Sequence, residues 1–296
     1  MTKPKSSVEL SVLLVNYNDR KNLGQCLSSV RENISGTSYE IIVVDNNSSD
    51  GSQKFIREQF SDVRLICNSH NAGFAAANNL GIRECRGDYL LLLNTDTVVM
   101  PQAVEIMLNA MKSDQSLGAV GPALLTERNG FQVSFGRKVS FFRELLQKAV
   151  LNAFFKIRLK TDHRVRQVGW LSAACFCVRA RIMKEVGCFD ENFFLYFEDI
   201  DLCARIKSKG YNLLFHPKAR VLHLGGATTA GNRLLNRYHY RKSQLYFYWK
   251  HNSKTDLFLL RTYLWVNFRL VLGWGNLIQS PDREERRKFI RLLKET

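Results

Sequence analysis

A carboxylate at the end of a strongly apolar segment is the first candidate for chemistry in this chain. Residues 89–101, YLLLLNTDTVVMP, predict a buried strand that ends in Asn94, Thr95 and Asp96. Asp is a common turn residue and helix cap, and a helix is predicted after Pro101, so a structural role is one interpretation. The other is a cation ligand, since Mg²⁺ is typically held by one or two carboxylates together with substrate phosphates. The motif alone gives the two interpretations equal weight.

Two further predicted strands also end in polar side chains. Asn16 closes the strand of residues 10–16, and Asp45 closes the strand of residues 40–45, before the sequence Asn-Asn-Ser-Ser-Asp-Gly. That sequence is typical of a turn and needs no function. A carboxylate at the end of a parallel strand is also well placed to accept the N3–H of a pyrimidine base. Ligands of such sheets bind beyond the carboxyl ends of the strands.

The strongest local signal is a cluster of acids behind a run of aromatic residues, FFLYFEDIDLCAR, residues 193–205. Glu198, Asp199 and Asp201 would begin a helix, and one acid is enough to satisfy a helix N-terminus. Three acids within four residues exceed that need. Crowded carboxylates in an apolar setting can raise one another's pKa, so one of them could act as a base near neutral pH.

One histidine extends the candidate metal site. His223 lies in the last predicted strand, residues 212–226, just before Gly225 and Gly226. A lone histidine is usually an ordinary core or surface residue. If it shares a sheet edge with Asp96, we expect the two to bind one cation together.

The elements that would position these residues alternate between strand and helix. Strands are predicted at 10–16, 40–45, 63–67, 89–93, 118–125, 169–179 and 212–226, and helices at 22–33, 52–60, 75–85, 102–113 and 197–211. Continuous apolar strands between helices indicate a parallel sheet covered on both faces. No G-x-G-x-x-G follows a strand and no P-loop motif occurs, which argues against a classical NAD site and against a P-loop nucleotide site.

Composition and charge narrow the class of protein. The 296 residues are 45% hydrophobic and 24% charged, which indicates a globular chain. The formal net charge is +16, and residues 201–296 hold 19 Lys and Arg against 6 Asp and Glu. This asymmetry predicts a basic surface that meets membrane lipid or nucleic acid. Seven cysteines without a C-x-x-C pair predict reduced thiols in a cytoplasmic protein rather than a zinc site.

Two basic amphipathic segments indicate where that surface lies. Residues 141–159 carry apolar pairs every four positions, with basic residues between them. The segment of about 254–278 is apolar but contains Arg261 and Arg269, which would be costly inside a bilayer. Both segments predict helices that lie in a membrane interface rather than cross it, with ordinary domain packing as the alternative. We therefore expect a peripheral protein on the inner face of the cytoplasmic membrane.

Taken in order, these segments resemble the family 2 glycosyltransferases with a GT-A fold, and within them the bacterial rhamnosyltransferase-like branch. The resemblance covers roughly residues 8–240, and its strength comes from the order of the segments rather than from any one of them. The matching segments are SVLLVNYN (11–18), IIVVDNNSSDGS (41–52), NAGFAAANNLGI (71–82), LLLNTDTVV (91–99), GWLSAACFCVR (169–179), FFLYFEDIDLCARIKSKGY (193–211) and ARVLHLGGAT (219–228). The resemblance implies a mostly parallel, Rossmann-like sheet flanked by helices, followed by a basic amphipathic helical extension.

The resemblance also assigns donor-side roles. Asp45 matches the family's base-recognising aspartate, and Asn71 and Gly73 match the loop that lines the nucleoside, with Asn16 at the same edge. Residues 94–96 match the family's D-x-D element. Its first position is Asn94 here, which can bind a ribose hydroxyl or metal-bound water but brings no charge.

On the metal and acceptor sides, Asp96 matches the metal ligand and His223 a histidine that can complete the Mg²⁺ or Mn²⁺ site. Asp199 matches the general base. We expect Glu198 and Asp201 to position the acceptor or the helix. Trp170 would pack against a sugar face, or would simply be a core tryptophan.

The implied activity is inverting transfer of a sugar from a nucleoside-diphosphate sugar to a lipid-linked saccharide, in bacterial surface polysaccharide synthesis. dTDP-L-rhamnose is the expected donor and a UDP-sugar the alternative. Residues 1–240 would form the transferase domain, with a nucleotide-binding half (8–115) and an acceptor-binding half (116–240). Residues 241–296 would form the extension on an anionic membrane surface.

Two other classes of function compete with this one. The charge and the segment RYHYRKSQLYFYWK (237–250) suggest a nucleic-acid-binding protein, but the first third of the chain is close to neutral. Because Asn94 replaces the first acid of the D-x-D element, a non-catalytic nucleotide-sugar sensor is a further alternative. The presence of Asp199 and His223 argues against it. We expect no nucleic-acid partner, and homo-oligomer formation stays open.

Overall fold

The structure is a computed structural model that describes residues 8–128, 130–146, 164–225 and 233–275. Its strands are β1 Leu10–Asn16, β2 Tyr39–Asp45, β3 Arg64–Cys67, β4 Tyr89–Asn94, β5 Thr97–Val99, β6 Leu117–Leu125, β7 Phe135–Gly136, β8 Arg166–Gln167, β9 Trp170–Leu171, β10 Cys175–Arg179 and β11 Asn212–His223. Its helices are α1 Arg20–Asn33, α2 Ser52–Gln59, α3 Phe74–Glu84, α4 Ala103–Ser113, α5 Phe141–Leu146, α6 Ala180–Glu185, α7 Glu198–Ser208, α8 Arg233–His251 and α9 Lys254–Gly275.

Most strands join one mixed sheet in the order β3-β2-β1-β4-β10-β6-β11-β5, with β8 beside β11. Strands β1 to β4 are mutually parallel wherever they pair, as predicted for the first 100 residues. Strand β10 runs antiparallel to both β4 and β6, and β11 is parallel to β6. Since β1 and β2 pair Asn16 with Asp45, and β1 pairs Val15 with Asn94 of β4, the carboxyl ends of three strands meet at one edge.

Both faces of the sheet are buried, which explains the continuous apolar strands. Alternate residues of β1 point to opposite faces. Val12 and Leu14 pack into the cluster formed with α1, α2 and α4, whereas Leu13 packs into the cluster formed with α3, α6 and α7. A strand with a helix layer on each side has no solvent face, so its apolar residues need not alternate with polar ones.

One predicted strand is divided in the structure. The segment 169–179 forms β9 and β10, and residues 172–174 between them are not part of either strand. Strand β9 pairs with β7 in a separate two-stranded sheet, whereas β10 lies inside the main sheet. The apolar composition of the segment correctly indicated that it is buried. The break between β9 and β10 depends instead on hydrogen bonds to residues that are distant in the sequence.

The two last helices pack on the domain through a third apolar cluster. Leu245, Phe247 and Tyr248 of α8 are buried with Leu260 and Leu264 of α9. The predicted boundary at residue 240 falls inside α8, a continuous helix that extends into this cluster. The predicted helix 141–159 is described only as α5, and the remainder of it lies outside the described residues, as do residues 276–296.

Candidate functional site

The ends of β1 and β2 form a hydrogen-bonded unit around Asp45. Its Oδ2 accepts from Asn16 Nδ2 at 2.8 Å, and its Oδ1 accepts from the Ser48 backbone N–H at 2.9 Å and from Gln53 Nε2 at 2.7 Å. Asp45 is 0% exposed. The base contact expected of Asp45 stays a prediction; Oδ2 accepts only one of the three hydrogen bonds and keeps a lone pair for a further donor.

The loop expected to line the nucleoside is tied to the end of β2 by Asn46, a residue that the sequence analysis did not single out. Asn46 Nδ2 donates to Asn71 Oδ1 at 2.8 Å and to the Gly73 carbonyl at 3.2 Å. Its Oδ1 accepts from Asn68 Nδ2 and from the Ala72 backbone N–H. Asn46 is 2% exposed, so this loop is fixed to the sheet edge by a buried amide.

Gly73 meets two demands that only glycine satisfies. Its φ is 85°, in the region that favours glycine, and a Cβ there would lie 2.6 Å from the Phe194 carbonyl oxygen. The Phe74 backbone N–H donates to that same oxygen at 2.8 Å. The predicted donor loop is therefore in direct contact with the aromatic segment that precedes the acids.

Asp96 and His223 come together although they lie far apart in the sequence. Asp96 Oδ1 lies 3.2 Å from His223 Nε2, because β5 and β11 pair with Thr97 opposite His223. Gln132 holds the ring from the other side: its Oε1 is 2.6 Å from His223 Nδ1, and its Nε2 donates to the His223 carbonyl oxygen. Since the amide oxygen is the acceptor, the proton sits on Nδ1 and Nε2 faces Asp96. Gln132 was not predicted, since nothing in its local sequence distinguishes it.

A second acid lies beside this pair. Asp19, between β1 and α1, is 2% exposed and accepts a hydrogen bond from Thr95 Oγ1 at 2.8 Å. Burial raises the pKa of Asp19, its hydrogen bonds to Thr95 and Asn22 oppose the rise, and the charge of Asp96 adds to it. Asp19 thus fixes the residue between Asn94 and Asp96, a role that only the fold reveals.

The donor set at this edge fits a divalent cation held jointly with a ligand. Among the described residues, no group of three His, Cys, Asp or Glu side chains forms a complete cation site. Asp96 and His223 supply two convergent donors, and Mg²⁺ or Mn²⁺ commonly takes its remaining ligands from substrate phosphates and water. Asn94, at the end of β4, leaves the pair without the second carboxylate of a D-x-D element.

The acids at the start of α7 follow a strained turn. Tyr196 and Phe197 have φ values of 71° and 67°, which bulky side chains rarely adopt. Such conformations cost ~1–3 kcal/mol each and persist where the surroundings impose them, often at functional sites. Here the Ser243 hydroxyl donates to the Leu195 carbonyl, and Phe197 packs on Tyr240 at 5.2 Å between ring centroids, so α8 imposes the turn.

The base candidate Asp199 is anchored to the broken strand. Its Oδ2 accepts from the Ala173 backbone N–H at 3.1 Å, and its Oδ1 accepts from the Ile200 backbone N–H at 2.8 Å. The next carbonyl, that of Ala174, accepts from the Asn94 backbone N–H at 2.9 Å. The gap between β9 and β10 therefore links Asp199 to the end of β4, which explains why the predicted strand is divided.

Burial raises the pKa of both neighbouring acids. The pKa of Glu198 lies well above its ordinary value because the side chain is desolvated and the charge of Asp199 is close. The pKa of Asp199 is also raised by burial, although the N–H donors of Ala173 and Ile200 stabilise its charged form. Glu198 is 6% exposed and its Oε2 has no hydrogen-bond partner among the described residues. These surroundings favour the protonated form of Glu198, whereas the two N–H donors favour the charged form of Asp199.

Asp201 lies apart from the other two acids. It is 0% exposed, and its carboxylate contacts Arg205 Nε at 2.8 Å, Lys250 Nζ at 2.8 Å and His251 Nε2 at 2.6 Å. It does not line the cavity above Asp199. Asp201 therefore contacts α8 rather than the cavity, and of the two roles predicted for it we propose positioning of the helix.

A cavity of about 560 Å³ opens above Asp199. It is lined by the acids Glu198 and Asp199 and by the aromatic side chains of Trp170 and Tyr240. Trp170 is placed by the pairing of β7 with β9, where a Cβ on Gly136 would lie 2.5 Å from the indole Nε1. Trp170 is thus held against backbone on one side and lines the cavity on the other, an arrangement suited to packing on a sugar ring.

Known proteins share this sequence pattern along most of the chain. The model of the family described as Glycosyl transferase family 2 matches residues 11–186. An N-acetylglucosaminyl-diphospho-decaprenol L-rhamnosyltransferase of Mycobacterium tuberculosis is 27% identical over 96% of this chain and 97% of its own length. The low-salt glycan biosynthesis hexosyltransferase Agl10 of Haloferax volcanii is 25% identical over 69% of this chain and 64% of its own.

Solved structures share the fold at low sequence identity. A mannosyltransferase of Pyrobaculum calidifontis, in complex with GDP-Man and Mn²⁺, has a TM-score of 0.59 at 16% identity, over 84% of this chain and 67% of its own. GalNAc-T7, solved with UDP, GalNAc and Mn²⁺, has a TM-score of 0.59 at 17% identity, over 76% of this chain and 45% of its own. With a family match over more than half of its length and the sheet described above, the chain belongs to glycosyl transferase family 2 and has a GT-A fold.

Proposed function

We propose that this protein is an inverting glycosyltransferase that moves L-rhamnose from dTDP-L-rhamnose to N-acetylglucosamine on a lipid diphosphate. The observation that carries the proposal is the placement of Asp199, a partly buried acid that lines a cavity and is linked through residues 172–174 to the end of β4. The mycobacterial relative, by its name, transfers L-rhamnose to such an acceptor and aligns over nearly the whole chain. A UDP-sugar donor is the alternative within the same fold.

In the proposed reaction Asp199 takes the proton of an acceptor hydroxyl held in the cavity. The hydroxyl oxygen forms its bond to the anomeric carbon while the bond from that carbon to the diphosphate oxygen breaks. Because the hydroxyl would approach the anomeric carbon from the side opposite the diphosphate, the displacement would invert configuration in one step. The proton remains on Asp199 until it exchanges with solvent, and no enzyme nucleophile is required.

The donor would lie across the ends of β1, β2 and β4. We assign Asp45, Asn71 and Gly73 to the nucleoside, with Asn16 holding the Asp45 carboxylate and Asn94 facing the ribose or the diphosphate. This assignment rests on position at the sheet edge and on the family resemblance.

Asp96 and His223 would hold Mg²⁺ or Mn²⁺. A bound cation of this kind neutralises charge on the departing diphosphate. Gln132 orients His223 by accepting its Nδ1–H, which leaves Nε2 free to bind the metal beside Asp96. The two solved neighbours were determined with Mn²⁺, which supports a divalent cation as cofactor.

We also propose that the protein binds anionic membrane through α5 and α9. Large apolar side chains are exposed on both helices, including Phe142 at 67%, Phe258 at 67% and Trp265 at 48%. Arg261 and Arg269 lie on the same helix as the exposed Phe258 and Trp265, a combination that favours an anionic lipid surface. Among the described helices, none combines the length and apolar character needed to cross a bilayer.

The two helices of this surface contact each other. The Phe141 ring of α5 and the Tyr263 ring of α9 lie 6.1 Å apart between centroids. The Phe141 backbone N–H also donates to Asp256 Oδ1 at 3.1 Å, close to the start of α9. The exposed apolar side chains of α5 and α9 can therefore meet one membrane surface together.

The test of the proposed function is Asp199→Asn. Transfer of rhamnose from dTDP-L-rhamnose should fall by about 10²–10⁴-fold, because a positioned general base contributes that much. Donor binding, measured as thermal stabilisation by dTDP-L-rhamnose with Mn²⁺, should be nearly unchanged. Asp88→Asn, a substitution at an exposed aspartate, is the matched control and should keep both properties.

Equal loss of transfer and donor binding in Asp199→Asn would contradict the assignment of the base. Stabilisation of the wild-type protein by UDP-sugars but not by dTDP-L-rhamnose would move the proposal to the alternative donor. Donor binding without transfer to any lipid-linked acceptor would overturn the enzymatic function.

A further inference from the structure

Basic side chains ring the mouth of the cavity above Asp199. Arg137 and Lys138 follow β7, and Arg143 lies on α5; all three are exposed and line the cavity. We name this group the basic rim. Glu198 and Asp199 line the same cavity, and of the two Glu198 is buried and Asp199 is partly buried. The cavity therefore combines less exposed acids with exposed positive charges.

The charged groups of the basic rim have no partner within the described part of the chain. Arg137, Lys138 and Arg143 form no ion pair or side-chain hydrogen bond with any residue that the structure describes. Glu144, the carboxylate closest to them in sequence, also lines the cavity, and its Oε2 accepts from Gln244 Nε2 of α8 at 2.6 Å.

Basic groups behind the cavity differ from the rim in this respect. Arg205 and Lys250 are both paired with Asp201, at 2.8 Å each. Three cations at one opening, without a carboxylate partner among the described residues, indicate an anionic ligand.

The chemistry of the rim favours a phosphate group. Guanidinium groups bind phosphate oxygens in a bidentate manner, and an ammonium group adds a compact charge. The rim is separated from the paired Asp96 and His223, neither of which lines this cavity. A diphosphate at the rim is thus distinct from a donor diphosphate at the sheet edge.

We propose that the basic rim binds the diphosphate that joins the acceptor sugar to its lipid. This inference rests on the proposed function. With the acceptor sugar against Trp170 and its reacting hydroxyl at Asp199, the diphosphate on the reducing end of the sugar faces the mouth. The lipid then leaves past α5, whose other side chains Phe142, Leu145 and Leu146 are 67%, 42% and 53% exposed. Helix α5 would then contribute Arg143 to the diphosphate site and its apolar side chains to the membrane contact.

The experiment compares two acceptors that differ only in charge. One is N-acetylglucosaminyl diphosphate on a short alkyl chain, and the other is the neutral alkyl glycoside of the same sugar and chain. For each variant, kcat/KM is measured for both acceptors with dTDP-L-rhamnose, and the ratio of the two values is the readout. Effects of a substitution on the donor, on the base or on folding cancel in this ratio.

The wild-type protein should strongly prefer the diphosphate acceptor. Each of Arg137→Gln, Lys138→Gln and Arg143→Gln should lower the ratio by about 10-fold, and the triple variant by about 100-fold or more, because charge-assisted hydrogen bonds to phosphate are lost. Lys209→Gln removes an equally exposed charge beyond the last residue of α7 and should leave the ratio unchanged.

An unchanged ratio in the triple variant would overturn the proposal. So would a rise in the KM for dTDP-L-rhamnose with no change in acceptor preference, since that result would assign the rim to the donor diphosphate. Calorimetric binding of the two acceptors separates the inference from the function on which it rests. A wild-type protein that transfers to neither acceptor, yet binds only the diphosphate and loses that binding in the triple variant, would overturn the proposed function while supporting the rim.

Discussion

At the scale of single residues, two adjacent acids are set apart by their surroundings. Glu198 is buried, lacks a partner for Oε2 among the described residues and has the charge of Asp199 beside it, so its pKa lies well above the ordinary value. Asp199 is partly buried, which raises its pKa, but two backbone N–H groups stabilise its carboxylate. When the surroundings of two neighbouring acids separate their pKa values, one acid is protonated and the other ionised at the same pH, and the two can serve different roles. We expect Glu198 to be the protonated partner and Asp199 the ionised one at neutral pH.

Glu198→Gln tests this division. Glutamine imitates the protonated acid, so transfer should be retained within about fivefold, in contrast to the 10²–10⁴-fold loss expected for Asp199→Asn. The transfer rate should fall at acidic pH as Asp199 becomes protonated, in the wild-type protein and in Glu198→Gln alike. Loss of transfer in Glu198→Gln, with retention in Asp199→Asn, would reverse the two assignments.

The stability of Glu198→Gln follows from the same pKa. An acid whose pKa is raised on folding keeps a proton that the unfolded chain releases, so its stability penalty grows as pH rises above the unfolded value of about 4.3. Replacement by Gln removes this penalty. The Tm of Glu198→Gln should therefore exceed that of the wild-type protein at pH 8, and the difference should shrink toward pH 4 in calorimetric scans.

Gln132 matters because it fixes which nitrogen of His223 faces Asp96. Gln132→Ala should weaken Mn²⁺ binding in the presence of dTDP about 10–100-fold, the usual effect of removing a partner that orients a metal-bound histidine. Electron paramagnetic resonance of free Mn²⁺ measures this without any turnover. Gln167→Ala, a substitution at an exposed glutamine of β8, is the control. Unchanged Mn²⁺ affinity in Gln132→Ala would remove His223 from the proposed site.

At the scale of elements, an ionic cluster joins α7 to α8. Asp201 of α7 contacts Arg205, Lys250 and His251, and Lys250 also contacts Asp190 at 2.6 Å. Burial would raise the pKa of Asp201, but the hydrogen bond from His251 and the charge of Arg205 lower it on balance. Because α8 imposes the strained turn that precedes α7, this cluster holds the helix that shapes the acid site.

Asp201→Asn should destabilise the protein by about 3–5 kcal/mol, because it leaves buried basic groups without their carboxylate. Urea unfolding followed by circular dichroism measures the change in the free energy of unfolding. Glu58→Gln, which removes the carboxylate of the exposed Lys54–Glu58 pair on α2, should cost less than about 1 kcal/mol. A similar small cost for both substitutions would contradict the role of the cluster.

The same cluster predicts that the stability of the folded protein decreases at acidic pH. The pKa of Asp190 is lowered to about 2: burial acts to raise it, and the hydrogen bonds from Lys250, Asn192 and Tyr246 outweigh that effect. A carboxyl whose pKa is lowered on folding contributes stability above the unfolded value of about 3.9 and loses it as pH falls toward the folded value. Asp190 and Asp201 should therefore both favour unfolding below about pH 4.

At the scale of the whole molecule, charge and exposed apolar surface are both concentrated late in the chain. Residues 201–296 carry 19 of the 43 Lys and Arg, and α9 exposes Phe258 and Trp265 beside Arg261 and Arg269. The Arg269 guanidinium lies 5.0 Å from the centre of the Trp265 ring. Helix α9, which carries this surface, packs against α5. Helix α5 in turn contributes Arg143 to the lining of the proposed acceptor cavity.

Arg261→Glu combined with Arg269→Glu should reduce binding to vesicles of anionic phosphatidylglycerol at least tenfold, since each basic residue near such a surface contributes about 1 kcal/mol. Hydrolysis of soluble dTDP-L-rhamnose should not change. Lys54→Glu with Arg57→Glu, on α2, alters the net charge equally and is the control. Equal vesicle binding by both double variants would refute the membrane role of α9.

The sequence by itself determined the parallel half of the sheet and the chemistry available at its edge. Apolar strands with helices between them require cover on both faces, and polar residues directly after such strands have only the sheet edge on which to lie. Asp45 and Asp96 could be selected on that local ground, and Glu198 and Asp199 from the crowding of acids behind an aromatic run. The order of the segments was also sufficient to identify the family that the comparisons then showed.

The tertiary structure alone decided which of these residues meet and which do not. Asp96 joins His223 because β5 pairs with β11, and Asp199 joins the end of β4 because residues 172–174 leave the sheet. Asp201 does not line the cavity, because its carboxylate is paired with Lys250 and His251 of helix α8. Such contacts depend on long-range pairing between distant segments, and a local sequence pattern carries no information about which distant partner will be adjacent.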